Sequence, residues 1–88
     1  MRVSREEETM NVLYICSRGV NDPTGATMPL HLAANGSLEA GQEVTVVLGG
    51  DATLLARRET AEAVHGVGLP PAMDLFAKLT KHEVPVWV

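Results

Sequence analysis

The chain has 88 residues, a formal charge of −4 and 45% apolar residues, with Tyr14, Phe76 and Trp87 as its only aromatics. That length gives one small domain with a thin core of Val, Leu, Ala and Met, and the apolar share is too high for a disordered chain. The acidic balance argues against nucleic acid as a main partner, and no run approaches the ~20 apolar residues of a membrane span.

Residues 1–9, MRVSREEET, are polar, lack periodicity and carry no apolar signal-peptide core. They are expected to form a disordered tail before a domain of residues 10–88, which makes Met10 a second candidate start. The one cysteine, Cys16, cannot form an internal disulfide. Together these traits set the expectation of a cytoplasmic protein.

Residues 11–17, NVLYICS, form an apolar, β-favouring run without clean alternation, as expected of a strand covered on both faces. The next segment, RGVNDPTGAT, has the composition of a loop. A helix should follow, capped by Thr27, with Pro29 in its first turn and Gly41 as its stop. In it Leu30, Ala33, Ala34, Ser37 and Leu38 make a small-residue stripe for close packing on a sheet.

Residues 42–48, QEVTVVL, read as the second strand, leaving through Gly49-Gly50-Asp51. Residues 52–64 have a blurred helical pattern, and VHGVGLPP is a loop. The clearest helix spans residues 71–82, with Ala72, Leu75, Phe76 and Leu79 on one face. Asp74 lies near its positive end, and Lys78, Lys81 and His82 near its negative end. The closing HEVPVWV reads as a third, buried strand, with Pro85 at its start or on an edge.

This β-α-β-α-(α)-β order predicts a parallel sheet with right-handed crossovers. Three strands leave two free edges and a partly naked surface, so a homo-oligomer is expected.

Four segments carry a family resemblance: NVLYICSRG, NDPTGATMPLHLAANGSLEAG, QEVTVVLGGDATLL, and VHGVGLPPAMDLFAKL leading into VPVWV. In their order and spacing the chain resembles the DsrE/DsrF-like proteins, small α/β domains linked to sulfur relay. The resemblance implies a three-layer α/β fold whose parallel sheet has flavodoxin-like topology, here truncated to about three strands and C-terminally incomplete. It also implies assembly into trimers or hexamers and a sulfur-relay protein partner. In the sulfur-transferring members a cysteine just after the third strand carries a persulfide, and these residues stop at Val88, where it would fall. The expectation is therefore an accessory or sulfur-relay-type protein, without sulfurtransferase turnover by this chain. The alternative is a non-catalytic ligand-binding or oligomeric interaction module.

Cys16 is the only thiol, near the carboxyl end of the first strand, where α/β proteins bind ligands. One reading is a thiolate carrier activated by Arg18 or a helix N-terminus. The other, which we expect, is a small buried hydrophobe in a β run. Cys16, Ser17, Gly49, Gly50 and Asp51 are the candidate ligand-binding residues, because a Gly-Gly turn exposes backbone N–H groups to an anion. No phosphate-loop motif strengthens that reading, Gly66-Val67-Gly68 follows no strand, and Ser17 has no arranged triad partners. His31, His65 and His82 share no metal spacing, so neither metal nor cofactor is expected.

Overall fold

The computed structural model describes residues 10–88, and the expected tail at residues 1–9 lies outside them. The element order is β1 (Asn11–Cys16), α1 (Pro23–Leu32), β2 (Glu43–Leu48), α2 (Arg58–Ala63), α3 (Ala72–Lys81) and β3 (Val86–Trp87). A π-helical stretch, Ala33–Ser37, continues α1, and a 3₁₀ segment, Gly50–Ala56, precedes α2. The strands form one parallel sheet in the order β1-β2-β3 among the described residues. The small α/β domain with three parallel strands is therefore as expected.

The strand order decides what covers the sheet. Right-handed crossovers that step twice in the same direction place both connecting segments on the same face. A flavodoxin-like order reverses direction, sets β1 between β2 and β3, and so covers both faces. Here β2 is the middle strand. Val44, Val46 and Leu48 of β2 are buried with Leu30, Ala33, Ala34, Leu75 and Leu79 in a single core. Among the described residues the opposite face is bare: Leu13 is 56% exposed, Ile15 66% and Trp87 65%.

The three-layer expectation is thus corrected to two layers, and the two-sided reading of β1 falls with it. Burial along β1 and β2 alternates with period two, as in a strand covered on one side. Apolar residues at Leu13, Ile15 and Val47 on the bare side hid that alternation in the sequence. β3 is likewise corrected from a buried strand to a short edge strand, with Val86 half-buried and Trp87 exposed. Pro85 stands just before it, as its missing N–H requires.

The start of α1 also differs from expectation. The cap is Asp22, whose Oδ1 accepts from the Gly25 N–H at 3.0 Å, and Pro23 opens the helix. Pro23 at that place costs little because its missing N–H has no helical partner. Pro29 consequently lies inside the helix, and the Thr27 hydroxyl donates to the Pro23 carbonyl at 2.6 Å instead of capping. Leu30, Ala33, Ala34 and Ser37 are buried as the stripe predicts. Gly41, at φ +83°, takes the left-handed conformation that lets the chain turn into β2.

The expected helix over residues 52–64 is divided by Arg57, which is extended and separates the 3₁₀ segment from α2. The helix over residues 71–82 is present as α3, burying Ala72, Leu75 and Leu79. Its end is a Schellman turn: the Val84 N–H donates to the Leu79 carbonyl and the Glu83 N–H to the Thr80 carbonyl, both at 2.9 Å. Glu83 occupies the left-handed position, at φ +60°, where glycine is usual.

Candidate functional site

The carboxyl ends of β1 and β2 bring the sequence-predicted residues together through their backbones. The Gly49 N–H donates to the Cys16 carbonyl at 2.9 Å, and the Ala52 N–H to the Gly49 carbonyl at 3.0 Å. Gly19 lies so close to this turn that a β-carbon there would sit 2.6 Å from the Asp51 carbonyl oxygen. The loops after the two strands are thereby locked against each other. Ser17, Gly50 and Asp51 are exposed on this junction, and Gly49 is half-buried.

The side-chain chemistry at this edge is muted. Cys16 is fully buried in the core, and desolvation pushes its thiol up to about 11. A thiol held protonated at neutral pH is a poor nucleophile. The nearby N-terminus of α1 is occupied by the protein's own anion, the Asp22 carboxylate, with Arg18 Nη1 3.9 Å from its Oδ2. An external anion at that terminus would have to compete with it.

The three histidines remain apart. His31 Nδ1 lies 3.1 Å from Asn35 Nδ2, His65 Nε2 meets the Leu69 carbonyl at 3.0 Å, and His82 follows α3. No group of three His, Cys, Asp or Glu side chains suited to a metal occurs among the described residues. Two open grooves are present, neither lined by the predicted residues. One, of about 400 Å³, is at the amino ends of the strands beside Gln42, Glu43 and Glu83. The other, of about 420 Å³, is a trough beside β3 and the carboxyl end of β2, lined by Leu48, Leu55, Arg58, Phe76, Thr80 and Val86.

Sequence reasoning expects a partly naked sheet surface but not which residues make it. Strand register places Ile15 beside Val47 and Val47 beside Trp87, so one apolar row crosses all three strands. Leu13, beside Thr45, extends it along β1. Strands lie about 4.8 Å apart, so these side chains form one contiguous surface. This patch is the candidate site, because covering exposed apolar side chains is favourable, by about 1.5–3 kcal/mol for an Ile taken fully out of water and less for one already partly buried.

No protein-family model, curated protein or solved structure matches the chain. No helix among the described residues is long and apolar enough to cross a membrane.

Proposed function

We propose that this chain is a non-catalytic interaction domain that engages a protein partner through the bare face of its sheet. The observation that carries the reading is the row Ile15–Val47–Trp87, continuous across the strands and exposed at both ends. Such a face is the apolar half of an interface without its other half. The domain is read as an accessory unit of the DsrE/DsrF-like kind, on the strength of the four resembling segments, and as cytoplasmic and self-associating. The burial of Cys16 supports the absence of sulfur-transfer turnover, since its sulfur is out of reach of a donor persulfide.

Trp87 supplies the test, being the only tryptophan. Its fluorescence should be readily quenched by acrylamide while the face is uncovered and become shielded when a partner binds over the face. Ile15→Lys with Trp87→Lys should weaken that association, followed by sedimentation, at least tenfold without changing the circular dichroism. The reading is wrong if Trp87 stays fully quenchable in every complex the chain forms and the double variant associates like the parent.

A further inference from the structure

A second surface is defined by backbone groups. The Glu43 N–H donates to the Met10 carbonyl, and the Gly49 N–H to the Cys16 carbonyl. Even-numbered residues along β1 therefore turn their N–H and C=O groups toward β2, and Asn11, Leu13 and Ile15 turn theirs away from it. Among the described residues no strand lies on that outer side. The free edge of β1 runs for six residues, NVLYIC, with no charge and no proline. Natural edge strands usually carry such features to prevent pairing. The other edge does: β3 is two residues long and follows Pro85. The difference singles out β1.

We propose that β1 pairs edge to edge with β1 of a second copy of this chain, antiparallel and about a twofold axis through Leu13. The sequence around Leu13 suits that register. Leu13 opposes Leu13 of the other copy, and Asn11 opposes Ile15 in both directions, so every outward N–H and C=O of these residues is satisfied. About six hydrogen bonds close the joint, two for each opposed pair. On the helix-covered side Val12 opposes Tyr14, a β-branched residue against an aromatic, which is a favourable cross-strand pair. The edge itself carries no charge, so no like charges are set against each other in the joint. The pairing is a second interaction surface beside the bare face, built from backbone groups, and leaves that face free for a further partner.

The experiment is cysteine crosslinking with sedimentation. Opposed Leu13 residues have Cα atoms about 5.5 Å apart, within the roughly 4.4–6.8 Å that a disulfide spans. Leu13→Cys should form an intermolecular disulfide under mild oxidation, located by peptide mass mapping. Ile15→Cys should not, because its two copies lie about 13 Å apart along the strands. The parent chain should sediment as a dimer at micromolar concentration, Leu13→Lys as a folded monomer, and Trp87→Lys still as a dimer. A monomeric parent, or Leu13→Cys crosslinking no faster than Ile15→Cys, overturns the proposal. If Trp87→Lys alone dissolves the dimer and Leu13→Cys does not crosslink, the bare face is the joint: the edge pairing falls and the interaction reading survives.

Discussion

The two faces of one sheet differ here more than their sequences do. Toward the helices β2 presents Val44, Val46 and Leu48, all buried. Away from them the sheet presents Leu13, Ile15, Val47 and Trp87, residues just as apolar. Hydrophobicity alone therefore does not say which face is inside. Topology does: in the order β1-β2-β3, two crossovers that step the same way with the usual hand bring the described helices to one side. The buried face contributes to stability in the isolated chain, whereas the bare face can contribute only when something covers it.

That contrast is broken most directly by matched truncations. Leu79→Ala removes a fully buried side chain from the core and should cost about 2–5 kcal/mol. Ile15→Ala on the bare face removes a side chain that is mostly in water, and should change the stability of the dissociated chain by less than about 0.5 kcal/mol. Urea denaturation at low protein concentration measures both. Equal costs would mean that the bare face is covered within the single chain.

Cys16 sharpens the same contrast through pH. Its thiol, raised to about 11 by burial, stays neutral in the folded chain where an unfolded thiol begins to ionise, near pH 8.5–9. The unfolded state then binds fewer protons, so stability falls with rising pH. The contribution is fully present below the unfolded value and is lost as pH climbs toward the folded one, by roughly 3 kcal/mol at most. Cys16→Ala should flatten the part of the alkaline stability profile between about pH 9 and 11 that the thiol causes. In the native chain Cys16 should also resist iodoacetamide at pH 8 and react promptly in urea.

Several elements were legible because their signals are local. The α3 apolar spacing, the β-branched run of β2 and the stop at Gly41 each follow from a few neighbouring residues. The start of α1 was obscured because Asp22-Pro23 serves equally as a turn and as a cap with a first helical proline. The division at Arg57 left no mark, since no glycine or proline stands there. That a three-stranded layer leaves a surface partly naked was legible, but which residues form it was hidden for a deeper reason. Strand order is a property of the whole chain, and an apolar residue has the same character whether it waits for a helix or for another protein. The candidate site was legible as a meeting of loops, because strand ends fix where Ser17 and Gly49 lie. The inward aim of Cys16 was legible only as the usual state of a free cysteine.

A smaller effect tests the seam between the covered face and its helices. The π-helical stretch brings Ser37 against Tyr14, whose hydroxyl lies 2.6 Å from Ser37 Oγ. Ser37 is buried, so Tyr14→Phe leaves its hydroxyl without this partner and should cost about 1–2 kcal/mol. Adding Ser37→Ala to Tyr14→Phe should restore part of that loss, because the orphaned polar group is gone. A double variant that loses the sum of two independent single costs would show that the two hydroxyls do not act on each other.

The smallest expected change is a gain. At the end of α3 Glu83 holds the left-handed conformation that the Schellman turn demands, and a side chain there carries a steric penalty that glycine escapes. Glu83 is exposed, so little packing is lost with its side chain. Glu83→Gly should therefore stabilise the chain by up to about 1 kcal/mol, while Glu83→Ala, which keeps the β-carbon, should not. Glycine also loses more conformational freedom on folding, which reduces the gain without reversing it. Thermal denaturation of the two variants side by side separates relief of backbone strain from loss of a surface charge: only the first distinguishes glycine from alanine.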